Sequence, residues 1–221
     1  KYGLLYRLGG FKYVKLKVGQ PDDMRRLRLL RQILGNGVDI RVDANCAWTL
    51  AEARKMIEQM RFLGVSAVEQ PLPAADIEGL KKLTHDAGVN ISADESLATV
   101  ADAQFLAREK ACSMFNIRIS KCGGLFSSMR IADIARRNGI KCQLGCQVGE
   151  TSILSAAGRH LALLWGDVEY VEGSYGTLLL KRDVAGRPVI FGLRGKGLPI
   201  EGPGLGIDVS EQLFKRITVP A

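Results

Sequence analysis

The chain has 221 residues, 47% of them hydrophobic and 24% charged, which is globular composition with enough apolar material for one substantial core and excludes a disordered chain. Thirty-one Lys and Arg against 23 Asp and Glu leave a net charge of +8, but the basic residues are dispersed, so they read as solvated surface and no nucleic-acid partner is expected. No apolar run reaches the ~18 residues of a membrane helix, and five cysteines without a CxxC pair exclude a structural zinc site and point to a reducing, cytoplasmic setting.

The first ten residues read as the end of a helix closed by Gly9-Gly10. Seven short β-branched runs then recur at near-constant spacing: 13–18, 38–42, 65–68, 89–93, 114–119, 140–144 and 168–171. Helical spacing fills the intervals. Asp22 to Leu34 opens at Pro21-Asp22, with Arg25 to Arg31 as its wet face. Thr49 to Phe62 opens on a Thr-x-x-Glu capping box, and 76–86, 99–109, 125–137 and 151–165 follow. Glycines at 37, 64, 88 and 139 mark left-handed returns to the sheet. The two histidines, His85 and His160, fall in helical segments and are read as structural.

Strand then helix, repeated seven times at ~25 residues per unit, is the signature of a (β/α)8-type TIM barrel. A doubly wound sheet would carry a glycine-rich loop after its first strand, and Val18-Gly19-Gln20-Pro21 is not one. Seven strands leave the barrel one short, so the chain is expected to begin inside a βα unit, with upstream chain or an oligomeric partner supplying the rest.

Active sites of such barrels lie at the strand C-terminal ends. There the chain places Lys15 and Lys17, then Asp43, Glu69, Asp94 and Lys121. From 17 to 43, 43 to 69, 69 to 94 and 94 to 121 the steps are 26, 26, 25 and 27 residues. Steps equal to the fold's own repeat predict one common height around the barrel. Three carboxylates ~5 Å apart repel by ~3 kcal/mol per pair at an effective dielectric of 20, so a compensating cation is expected. Three hard oxygen donors suit Mg²⁺, or Mn²⁺, rather than zinc. A lysine made neutral beside that charge becomes a usable general base.

Lys15-Leu16-Lys17, Asp43-Ala44-Asn45, Glu69-Gln70-Pro71-Leu72, Asp94-Glu95-Ser96 and Lys121-Cys122-Gly123-Gly124 together resemble the motif set of the enolase superfamily, and within it the muconate-lactonizing (muconate cycloisomerase) subgroup. The resemblance implies that residues 1–221 are the C-terminal barrel of a Mg²⁺-dependent enzyme, whose N-terminal capping domain and first strand are not in this chain. It implies abstraction of a proton α to the carboxylate of a small molecule, leading to cycloisomerisation, racemisation, epimerisation or a dehydration of the o-succinylbenzoate type. Asp43, Glu69 and Asp94 would hold the metal, Lys17 and Lys121 would be the acid–base pair, and Lys15 would tune Lys17. Asn45 would orient a ligand or substrate, or cap its loop. Glu95 would accept from a neighbour of the metal, and Glu150 would meet substrate or Lys121, or merely place charge at a helix start. The segment 171–176 lacks the Asp-x-Asp pattern with which dipeptide epimerases of the subgroup hold an amino group. Two rival readings are a Schiff-base aldolase using Lys17 or Lys121, and a non-catalytic barrel or basic binding module.

Overall fold

The computed structural model describes residues 2–174, 176–212 and 215; Lys1 and Tyr175, which fall in two segments interpreted above, lie outside the described residues. Strands and helices alternate as expected: α1 (Tyr2–Leu8), β1 (Tyr13–Lys17), α2 (Asp23–Leu34), β2 (Asp39–Asp43), α3 (Leu50–Phe62), β3 (Val65–Glu69), α4 (Ile77–Asp86), β4 (Asn90–Ala93), α5 (Val100–Glu109), β5 (Met114–Ile117), α6 (Gly124–Arg137), β6 (Lys141–Leu144), α7 (Ser152–Trp165), β7 (Tyr170–Val171) and a short α8 (Gly176–Leu179). All seven strands are parallel, in the order β1-β2-β3-β4-β5-β6-β7, so each β-α unit returns beside its predecessor.

Alternation along the strands sorts the side chains. In β2, Ile40 and Val42 join the apolar layer beneath the helices, while Arg41 and Asp43 occupy the other face. The same parity gives Val68 against Glu69, Ile91 against Ser92, Phe115 against Asn116 and Cys142 against Gln143. The helices bury Leu27, Ile57, Leu80, Leu106 and Ile131 against the first set. At ~25 cal/mol per Å² of apolar surface, each such side chain contributes ~1.5–3 kcal/mol. The second set makes a buried polar interior, the unusual feature of this barrel.

The β1 and β7 edges make no ladder with each other, as expected for a barrel one strand short. Side chains nevertheless cross the gap. Tyr13 and Tyr170 meet edge to face at 5.5 Å, Lys15 Nζ reaches Glu172 Oε1 at 2.7 Å, and Tyr170 donates its hydroxyl to Asp39 Oδ2 at 2.7 Å. The predicted open edges are thus stapled by interior polar contacts.

Several local expectations are revised. Asp22 sits at the start of α2 without capping it; Asp23, almost wholly buried, instead accepts from the amides of Gly19 at 2.5 Å and Gln20 at 2.8 Å. The left-handed glycine after α2 is Gly35 (φ 75°) and not Gly37. Arg31 is no part of a wet face: it donates to the carbonyls of Gly35, Val38, Leu63 and Gly64 and ties the end of α2 to that of α3. The capping box at Thr49 and Glu52 forms as predicted, and a second stands at Thr99 and Asp102. Among the described residues no helix is long and apolar enough to cross a membrane, and all five cysteines are free.

Candidate active site at the barrel mouth

Lys17, Asp43 and Glu69 are direct register partners across β1, β2 and β3. The partner of Glu69 on β4 is Ser92, so Asp94 stands two residues further along its strand. The common height expected from the constant interval therefore holds for three positions and fails at the fourth, where the strands are staggered as barrel closure requires.

Side chains bring the five positions together all the same. Lys17 Nζ donates to Asp43 Oδ2 at 2.7 Å and to Asn45 Oδ1 at 2.5 Å, and Asn45 Nδ2 donates on to Glu95 Oε1 at 3.0 Å. Asn45 reaches this position through a left-handed backbone (φ 42°), a conformation asparagine tolerates better than most residues. Lys15 Nζ lies 3.3 Å from Asp43 Oδ2, 3.1 Å from Glu69 Oε1 and 2.7 Å from Glu172 Oε1. On the far flank Lys121, in the turn before α6, folds back to donate to Asp94 Oδ1 and to the Asp94 carbonyl, both at 2.6 Å. The other oxygen, Asp94 Oδ2, is salt-bridged to Arg118. Gln70, fully buried with φ 35°, accepts from the amides of Asp94 and Ser96 and locks the ends of β3 and β4 together.

Glu150 is placed apart. It accepts from the Gln147 amide at 3.1 Å and from Ser155 Oγ at 3.3 Å, beside a shallow cleft shared with Cys146, Glu172 and Ser174. No described contact joins it to Lys121, and it lies two residues before α7. His85 pairs with Asp86, and His160 with the Leu205 carbonyl.

Several partners of the site escape a reading of the sequence. Asn116 Nδ2 donates to Glu69 Oε1 at 2.9 Å and Gln143 Nε2 to Glu69 Oε2 at 2.8 Å, both from buried positions. Gly145 must be glycine for a different reason from the turn glycines: a Cβ there would collide with Asn116 Oδ1. Arg118, Arg41 and Glu172 complete the layer. A usable signal exists, since Asn116 and Gln143 are themselves 27 residues apart and interrupt apolar strands.

The electrostatics follow from this crowding. Burial pushes the Glu69 carboxyl above its ordinary value, and the Asp43 and Glu172 charges add to the effect against Lys15 and Gln143. Burial acts the same way on Asp43, but Lys15 and Lys17 outweigh it and hold Asp43 below the usual carboxylate range. Burial would lower Lys15; Glu69, Glu172 and Asp43 reverse the sign and hold the ammonium well above the ordinary lysine value. Lys121 goes the other way, to about 8, because burial and the adjacent Arg118 outweigh the acidic groups around it.

The compensating charge predicted for the three carboxylates is supplied here by Lys15, Lys17, Lys121 and Arg118. Among the described residues no three Asp, Glu, His or Cys side chains are grouped closely enough to hold a metal ion. The donor chemistry still fits a divalent cation. Asp43, Glu69 and Asp94 offer hard oxygens, and one buried acceptor beside Glu69, Asn116 Oδ1, has no hydrogen-bond donor among the described residues.

Comparisons with known proteins agree with this arrangement. The model of the family described as enolase C-terminal domain-like matches residues 4–213. A hydrophobic dipeptide epimerase of Enterococcus faecalis is 37% identical over 155 residues, covering 69% of this chain and 44% of its own. An L-Ala-D/L-Glu epimerase of Clostridium acetobutylicum is 32% identical, covering 90% and 56%, and muconate cycloisomerase 1 of Rhodococcus opacus is 32% identical, covering 92% and 55%. Among solved structures, a muconate lactonizing enzyme superposes with a TM-score of 0.87 at 30% identity, covering 97% of this chain and 60% of that one. The E. faecalis dipeptide epimerase in complex with Mg and the dipeptide L-Leu-L-Tyr gives 0.86 at 32%, covering 93% and 58%. The chain spans about half the length of the curated relatives it matches. With the family model covering nearly all of it and relatives above 30% identity along most of it, the chain belongs to the enolase C-terminal domain-like family, in the branch that includes muconate cycloisomerase and the epimerases.

Proposed function

We propose that residues 1–221 are the barrel domain of a Mg²⁺-dependent racemase or epimerase, which moves a proton on and off the carbon α to the carboxylate of a small molecule. The observation that carries this reading is the pair of lysines flanking one carboxylate layer, Lys17 bonded to Asp43 and Lys121 bonded to Asp94. Inverting a carbon centre needs an acid and a base on opposite faces, whereas cycloisomerisation and dehydration need only one of them. Lys121, held at about 8, exchanges a proton readily near neutral pH. Lys17 is the partner on the other face, steered by Asn45, and Lys15 shares Asp43 with it.

Asp43, Glu69 and Asp94 would hold the ion, Mg²⁺ or Mn²⁺, with Asn116 and Gln143 orienting Glu69. When bound, the ion supplies positive charge for the substrate carboxylate as the α proton leaves. The side chains of Lys15 and Arg118 must then give up part of their present contact with the carboxylates. Substrate selection rests partly on chain beyond this barrel or on a second copy, because Lys17 is more than half exposed at the mouth. Five unpaired cysteines support a cytoplasmic setting. A Schiff-base aldolase would leave the Asp43, Glu69 and Asp94 cluster without a use.

The test is deuterium exchange at the α carbon of dipeptides and N-acyl amino acids in D₂O with Mg²⁺, followed by proton NMR. Exchange with racemisation, abolished by EDTA and restored by Mg²⁺, is the expected result. Exchange that persists in EDTA, or no exchange with any carboxylate in either class, overturns the reading.

A further inference from the structure

Gln143 sits in the polar interior of the barrel, 1% exposed, between two carboxylates. Its Nε2 donates to Glu69 Oε2 at 2.8 Å and to Glu172 Oε1 at 3.2 Å. A primary amide offers two protons at nitrogen and only lone pairs at oxygen, and an ionised carboxylate only accepts. One of the two amide orientations therefore satisfies both carboxylates, and the other turns a carbonyl oxygen against both. Something must hold the oxygen end. That group is Arg41, whose Nη1 donates to Gln143 Oε1.

Arg41 is suited to the task. It is 6% exposed, its guanidinium lies 3.9 Å from the centre of the Tyr170 ring, and its Nη1 is 3.7 Å from Glu172 Oε1. A guanidinium keeps its charge and has no acceptor to offer, so it never favours the reversed amide. It lies two residues before Asp43 on β2, and its side chain meets Gln143, Tyr170 and Glu172.

We infer that Arg41 is a positioning residue: by fixing the orientation of the Gln143 amide it aims both amide protons at Glu69 and Glu172 and holds Glu69 in place for the ion. The effect on the ion rests on the proposed function; the effect on the amide does not. Such supporting partners set metal affinity by ~10–100-fold.

The experiment uses the full natural protein and has two readouts. The first is metal-free: the side-chain amide signals of Gln143, assigned with Gln143→Glu, in wild type and in Arg41→Met and Arg41→Lys. Expected are slowly exchanging protons in wild type, their loss of protection in Arg41→Met, and their recovery in Arg41→Lys, which restores a cationic donor. The second is Mg²⁺ affinity by calorimetry. Arg41→Met should weaken it by ~10–100-fold. Arg41→Met combined with Gln143→Met should be no weaker than Gln143→Met alone, because Arg41 acts through the amide. An unaltered Gln143 signal in Arg41→Met, or additive losses in the double variant, overturns the inference. Should Arg41→Met fail to fold, loss of the protected signal in folded Arg41→Lys decides against it. A wild type that binds no Mg²⁺ sinks the proposed function alone, and the amide readout still stands.

Discussion

Lys15 and Lys121 flank one carboxylate layer from opposite sides, with side chains 20% and 16% exposed. Desolvation penalises both ammonium groups and is the first cause acting on each. Their proton affinities still move in opposite directions. On the β1 flank the ammonium faces Glu69, Glu172 and Asp43, and the three charges overcome burial. On the β5 flank the nearest carboxylate, Asp94, is shared with Arg118, whose charge adds to burial against the Lys121 ammonium; Lys15 shares Asp43 with Lys17 but has Glu69 and Glu172 besides. Burial sets the size of the penalty, and the number and sign of neighbours decides which way the group goes. The β1 flank holds its proton more firmly than an ordinary lysine and the β5 flank less firmly.

The largest expected effect breaks this comparison by deletion. Lys121→Ala should lower racemisation by ~10²–10⁴-fold, the range for loss of a positioned acid or base. Exchange into D₂O from the substrate enantiomer deprotonated by Lys17 should survive; loss of exchange from both enantiomers would show that Lys121 is not the acid–base group of one face alone.

A smaller effect sharpens it by pH. Lys121 at about 8 must be neutral to take a proton and charged to give one. In the direction where it is the base, the rate should rise about tenfold per pH unit below 8 and level above it. In the reverse direction, where it is the acid, the rate should be level below 8 and fall above it. Arg118→Leu removes a cation facing the ammonium, so the break in both profiles should move to higher pH. An unmoved break would remove Arg118 from the account.

The amino-acid sequence carries the positions of the two flanks far better than their wiring. Lys17, Asp43, Glu69, Asp94 and Lys121 are legible because a repeating fold forces a repeating interval on residues that meet at one end of the barrel, and that interval survives in the chain. What the interval cannot carry is how charges pair. Lys15, which the resemblance reads as tuning Lys17, shares Asp43 with it and also meets Glu69 and Glu172, two contacts that no spacing announces. Asn116, Arg118 and Gln143 stay inconspicuous because a lone polar residue in a short apolar strand resembles an ordinary irregularity until a second strand places a carboxylate opposite. The two-residue offset of Asp94 is illegible for a related reason: stagger belongs to the pairing of strands, and a single strand contains no trace of it.

The smallest expected effect tests whether the mouth and the helical shell are separable. Thr49 caps α3 by accepting from the Glu52 amide, and the Glu52 carboxylate accepts in turn from the Thr49 amide. Neither residue is near a mouth lysine in the hydrogen-bond network, and both are exposed. Thr49→Ala removes the side-chain half of that box and should cost ~1 kcal/mol. For a chain of this size the melting midpoint should fall by ~2–4 °C. Exchange at the α carbon and both pH profiles should stay unchanged, since no charge that faces Lys15 or Lys121 has moved. A midpoint that falls together with a displaced Lys121 profile would mean that the shell, and not the local count of charges, sets the difference between the two flanks.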